Sequence, residues 1–261
     1  MIDVIIACAG LGSRFLSHRH QFPKGLAPVG DVPLLGHLLS QLKYINCINH
    51  IYISAFQGFD LFESYVQSHP LSSKITLVFD PSLGGFKRLL DSNLVESDHV
   101  VLMHGDNFYW GSLRPFFESI THSQAFDALT FNADESQNVG VFLKDQDGNC
   151  TFHEKVLGLP GYLAFAAVIH APFRRLSKLA DHKSHFFLSE DLVPNVLGEL
   201  NIFCFRGDII DVGSPSSFVK CNQLFSSSKR LEEFEFDKKW VLRHRNQISM
   251  LEECFFGNPK E

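Results

Sequence analysis

The sequence predicts an α/β protein on a mainly parallel sheet, and three observations carry that expectation. Short apolar, β-branched runs recur at residues 4–7, 51–55, 75–79 and 99–103, each with the length and composition of a strand buried on both faces. Between them, residues 34–44 and 59–67 have helical spacing; in the first, Leu35, Leu38, Leu39 and Leu42 share one face. Glycines or acids then follow the strand ends, at Gly10, at Gly84-Gly85 and at Gly105-Asp106. Strand and helix alternating at this pace imply right-handed crossovers, with ligands gathered at the carboxyl ends of the strands.

Composition sets the outer bounds. A chain of 261 residues has room for one domain with a substantial core, or a domain and an appendage. Its 45% apolar and 20% charged content is that of a globular chain, and most of its 26 phenylalanines read as core. A net charge of −6 argues against a nucleic-acid footprint, which needs clustered positive charge, but a local group of Arg and Lys still suffices for a phosphate substrate. The six cysteines have no zinc-like spacing and read as free thiols of a cytoplasmic protein. No stretch has the length of a membrane span, and the apolar start lacks the basic region of a signal peptide.

The first strand breaks into Ala9-Gly10-Leu11-Gly12-Ser13-Arg14, a loop with free N–H groups and a guanidinium. Such a loop cradles phosphate, because glycines let the backbone approach an anion closely. Pro23-Lys24 adds a second cation on a stiffened segment. A dinucleotide fingerprint would need a glycine at position 15, where Phe15 stands, and an acid ending the second strand, which is absent. A Walker loop would need Gly-Lys-Ser/Thr, which does not occur. After the fourth strand, Asp106 is placed to hold magnesium against a triphosphate, though an acid there also suits a turn or helix cap. Residues 128–132, 140–144 and 150–153 read as further strands, the last two joined as a hairpin by the Asp147-Gly148 turn. Ser214-Pro215 reads as a helix start.

In order, Gly10-Leu11-Gly12-Ser13-Arg14, Pro23-Lys24, Leu83-Gly84-Gly85, Gly105-Asp106, the phrase 139–156 and Ile210-Asp211-Val212-Gly213-Ser214-Pro215 resemble the sugar-1-phosphate nucleotidylyltransferases. The likeness covers about residues 2–225, and within it residues 188–197 resemble the helix the family carries before its last strands. It implies a Rossmann-like, three-layer mixed sheet with an inserted β-hairpin, and a reaction that joins a nucleoside triphosphate to a sugar 1-phosphate with release of pyrophosphate. It further implies that Arg14 and Lys24 hold the triphosphate, with Ala9, Gly10, Gly12, Ser13, Gly84 and Gly85 around the nucleotide. Gly140 and Glu154 would then bind the sugar and Lys155 its phosphate. Asp106 and Asp211, both projecting from strand ends at the carboxyl edge of the sheet, would hold Mg2+. The chain departs from the family at Phe86-Lys87-Arg88, where small residues are usual, and at Phe165, where the sugar-binding asparagine is usual. Two other readings stay open: a non-catalytic sugar-nucleotide sensor and a metal-dependent glycosyltransferase. The absence of a glutamine shortly before the second glycine loop leans the nucleobase toward guanine.

Past the serines at 226–228, residues 229–261 read as a short helical extension of a nucleotidyltransferase domain at 1–228. It carries enough aromatics to pack on that domain or on a second copy of the chain in a homo-oligomer.

Overall fold

The computed structural model describes residues 1–10, 22–83, 85–133, 138–144, 150–157, 162–226 and 234–248; the side chains of residues 138, 144 and 155–157 lie outside the description. The elements run β1 (Ile2–Cys8), β2 (Pro28–Val29), β3 (Val32–Pro33), α1 (Leu34–Leu42), β4 (Ile48–Ala55), α2 (Phe59–Ser68), β5 (Ile75–Phe79), α3 (Lys87–Leu90) and β6 (His99–His104). There follow β7 (Asn107–Gly111), α4 (Arg114–Ile120), β8 (Phe126–Asn132), β9 (Asn138–Lys144), β10 (Cys150–Leu157), β11 (Leu163–Pro172) and α5 (Phe173–Ala180). The last are α6 (Val193–Val196), β12 (Leu200–Cys204), β13 (Gly207–Asp211), α7 (Pro215–Ser226) and α8 (Glu235–Arg243).

The central sheet has the order β10-β9-β11-β6-β1-β4-β5, with β8 on β11 and β12 on β8. Its middle, β5-β4-β1-β6, is parallel. In β1, Val4, Ile5 and Ile6 are all fully buried, because helices cover both faces. Val4 and Ile6 join the apolar cluster of α1, α2 and α8, whereas Ile5 joins that of α3, α5 and α6. This is the three-layer α/β architecture expected from the sequence. The hairpin is present as antiparallel β9 and β10, with Cys150 opposite Lys144 and Thr151 opposite Leu143; its Asp-Gly turn lies outside the described residues.

Three local expectations are corrected. Helix α1 stops at Leu42, two residues short of the sequence reading. Residues 188–197 form not one helix but a π-turn, Leu188–Leu192, followed by α6. There Asp191 accepts hydrogen bonds from Lys183 Nζ at 2.6 Å and from the Phe187 N–H at 2.8 Å, which wraps the chain more widely than an α-turn. Finally, β13 does not lie in the main sheet; it pairs antiparallel with β7 in a separate ribbon. The helix start at Ser214 is as read, since Ser214 Oγ accepts from the Ser217 N–H at 3.2 Å. No helix among the described residues is long and apolar enough to cross a membrane.

Candidate functional site

Three segments distant in sequence meet beyond the carboxyl ends of β1 and β6. The first is the 3-10 turn Lys24–Leu26, closed by hydrogen bonds from Leu26 N–H to the Pro23 carbonyl and from Ala27 N–H to the Lys24 carbonyl, both 3.0 Å. Pro23 rests on Gly58 at the start of α2, where any side chain would meet the proline ring. The second is Gly105-Asp106 after β6. Gly105 donates to the Ala7 carbonyl at 3.0 Å, and a Cβ there would collide with Cys8 Sγ, so only glycine lets β6 turn this close to β1. The third is the end of β13, where Asp211 lies opposite Asn107 and the Val212 N–H donates to the Asp106 carbonyl at 3.1 Å. The β7–β13 ribbon thereby carries Asp211 to Asp106.

Lys24 sits between the two acids. Its Nζ lies 2.7 Å from Asp106 Oδ2 and 3.5 Å from Asp211 Oδ1, with the lysine side chain only 12% exposed. Burial works against the lysine's charge, but the carboxylates of Asp106 and Asp211 outweigh it and raise its pKa. Burial likewise works against the charge of Asp106, yet Lys24 and His104 hold its carboxyl below the ordinary value. The thiol of Cys8 is pushed far up, by burial first and by Asp106 second, so it is neutral and inert.

Ala9 is buried and Gly10 exposed at the end of β1, while Gly12, Ser13 and Arg14 lie outside the described residues. Gly85 takes φ +66° and packs against the Phe186 carbonyl, which leaves no room for a side chain; Gly84 lies outside the described residues. Gly140 on β9 faces Phe152 and the carboxylate of Glu154, an exposed residue of β10. Lys155 is in β10, and its side chain is outside the description. Phe86 is buried and stacks on His104, ring centroids 5.7 Å apart. Phe165 is buried edge-on against Phe142 and Phe152.

Sequence reasoning gave no role to Asn107 and Tyr109. Asn107 Nδ2 donates at 3.0 Å, and the Tyr109 hydroxyl at 3.3 Å, to the Ala166 carbonyl. That carbonyl is turned toward them where β11 breaks its register between Phe165 and Ile169 and Ala167 adopts φ +52°. The two residues thus tie the strand bearing Phe165 to the ribbon bearing Asp211. The only signal for this in the sequence is the polar residue directly after Asp106.

Among the described residues no group of three or more His, Cys, Asp or Glu side chains converges as a metal cage. Two hard carboxylates facing one point do suit magnesium, which is usually bound by one or two carboxylates together with substrate phosphates.

No protein-family model matches the chain. It is 24% identical over 233 residues to the D-glycero-alpha-D-manno-heptose 1-phosphate guanylyltransferase of Aneurinibacillus thermoaerophilus, an alignment spanning 85% of this chain and 97% of that protein. It is 23% identical over 151 residues to the bifunctional protein GlmU of Methanococcus aeolicus, spanning 57% of this chain and only 34%, about a third, of that longer relative. In structure it resembles a Bacillus anthracis protein provisionally assigned as a glucose-1-phosphate thymidylyltransferase, solved with sucrose. The TM-score is 0.76 at 22% identity, covering 90% of this chain and 99% of that one. The fold is therefore that of this structure, and the resemblance to sugar-1-phosphate nucleotidylyltransferases read from the motifs recurs in the sequence relatives.

Proposed function

We propose that this chain is a nucleotidyltransferase that joins a nucleoside triphosphate to a sugar 1-phosphate and releases pyrophosphate. The observation that carries this reading is the convergence of Lys24, Asp106 and Asp211 beside the end of β1. In the reaction a sugar-phosphate oxygen attacks the α-phosphorus and pyrophosphate leaves. The attacking phosphate is already ionised at neutral pH, so the protein must align and neutralise charge rather than supply a base or a nucleophile. Asp106 and Asp211 would hold magnesium, which when bound cancels charge on the reacting phosphate. Lys24 and Arg14 would grip the triphosphate over the N–H groups of the first glycine loop, with Gly84 and Gly85 beside the base. Glu154 and Gly140 would line the sugar, and Lys155 would meet its phosphate. For the base we propose guanine, in line with the absent glutamine and with the name of the heptose 1-phosphate relative.

A non-catalytic sensor of the same ligands is the second reading, favoured by the buried Phe86 and Phe165 at positions where the resembling family has small or polar residues. Pyrophosphate release, measured for the common nucleoside triphosphates against hexose, heptose and amino-sugar 1-phosphates, separates the two. Release with at least one pair is expected; nucleotide binding without release from any pair supports the sensor.

A further inference from the structure

Lys24 stands where a metal would have to go. Its Nζ is within 3.5 Å of both carboxylates, whereas magnesium held by the same acids needs their oxygens at about 2.0–2.1 Å. An ammonium and a divalent ion packed into one small wedge repel each other, so the two cannot share it at full strength. We propose that Lys24 is a resident counter-ion of the Asp106–Asp211 pair, and that metal binds there only as the ammonium swings out.

This rests on the reading of the two acids as the metal site, and adds to it an exchange of cations. The backbone at Lys24 is pinned by the turn and by Pro23 on Gly58, and Gly25 is packed against Phe62 and Cys8, so the exchange falls to the side chain. A lysine suits it: a compact point charge on a flexible four-carbon stem leaves and returns without moving the backbone, unlike a planar guanidinium forked onto both acids. An anionic substrate gives the displaced ammonium a new partner. Substrate binding and metal entry are then coupled through one side chain, and the lysine keeps the acids from repelling each other until both arrive.

The test is Mn2+ binding to the full chain by calorimetry, without nucleotide or sugar, for the wild type and for Lys24→Met, Lys24→Arg and the double variant Lys24→Met/Asp106→Asn. Thermal melts identify which variants are folded. Lys24→Met is expected to bind Mn2+ at least about tenfold tighter than the wild type, equivalent to ~1.4 kcal/mol. Lys24→Arg, which keeps the charge and can fork onto both acids, should bind Mn2+ no tighter than the wild type, and the double variant should lose the tight site. Equal or weaker binding by Lys24→Met, or equal tightening by Met and Arg, overturns the exchange while leaving the metal site standing. Tight binding that survives in the double variant overturns both the exchange and the assignment of Asp106. No turnover is measured, so a failure of the proposed reaction in the pyrophosphate assay is a separate result.

Discussion

Asp106 and Asp211 are held by backbone hydrogen bonds that no side-chain change removes: Gly105 N–H to Ala7, and Val212 N–H to Asp106. Replacing either acid by Asn should therefore leave the fold intact while removing a carboxylate at the reacting phosphate. Turnover is expected to fall by about two orders of magnitude or more, or ~2.7 kcal/mol. Near-normal turnover in both variants, with an unchanged magnesium requirement, would place the metal elsewhere. Ala167 supports a second prediction at this scale. It is held at φ +52°, a left-handed conformation that costs an L-residue with a Cβ roughly 1–2 kcal/mol. Glycine removes that cost but loses more freedom on folding, so Ala167→Gly should stabilise by about 0.5–1 kcal/mol, read as a higher urea midpoint at unchanged slope. A lower midpoint would mean that the alanine methyl group contributes more in packing than the backbone loses in strain.

Seven of the nine residues of helix α1 are buried, and His37 is the polar point among them. The ring is surrounded edge-on by Phe108, Phe225 and Phe234, and its Nε2–H donates to the Val29 carbonyl at 2.8 Å. Burial pushes its pKa down to about 4, with the Val29 bond opposing in part. The unfolded chain, with a histidine near 6.5, takes up the proton first. This contribution to stability is thus whole above pH 6.5 and is lost as the pH falls toward 4. At pH 5 the loss should be ~2 kcal/mol relative to pH 7.5. Chemical denaturation at the two pH values should show a smaller drop for His37→Gln, which keeps a donor for Val29 but cannot titrate. Parallel drops in the two proteins would assign the acid sensitivity to other groups, such as His69, whose pKa burial also lowers to about 4.

Taken whole, the molecule lays its last described helix over the layer of α1 and α2. Trp240 packs edge-on against Tyr65, whose hydroxyl donates to Asp237, and Phe234, Trp240, Val241 and Ile248 share the apolar cluster of Leu35, Leu38 and Phe62. We propose that residues 1–228 fold as the nucleotidyltransferase domain with residues 229–261 as an extension on it. A chain truncated after Ser228 should then keep its sheet, by circular dichroism, but melt lower by ~2–4 °C for each kcal/mol of lost cover. A truncated chain without cooperative unfolding would make the extension part of the domain.

Much of this was legible in the sequence because it rests on local pattern. The buried runs of β1, β4, β5 and β6 announce themselves by composition, and Asp106 by its place after a strand and a glycine. What depends on distant partners was not legible. Nothing local tells β13 to leave the main sheet for β7, no residue type marks the turn at Ala167, where glycine would have been the signal, and the π-turn at Leu188–Leu192 follows from where Asp191 finds its donors. Lys24 was read only as a ligand for phosphate, since its position between two acids exists only once the β7–β13 ribbon has formed.

That ribbon also sets the order in which the site comes together as the chain is made. Lys24 and Asp106 precede Asp211 in the chain and can pair before it, since Asp211 arrives only with β13. A contact between segments so far apart pays its loop-closure entropy late and forms slowly. Until β13 has docked on β7, the chain holds Lys24 against one acid instead of two, so the site has its full charge only once that ribbon has formed.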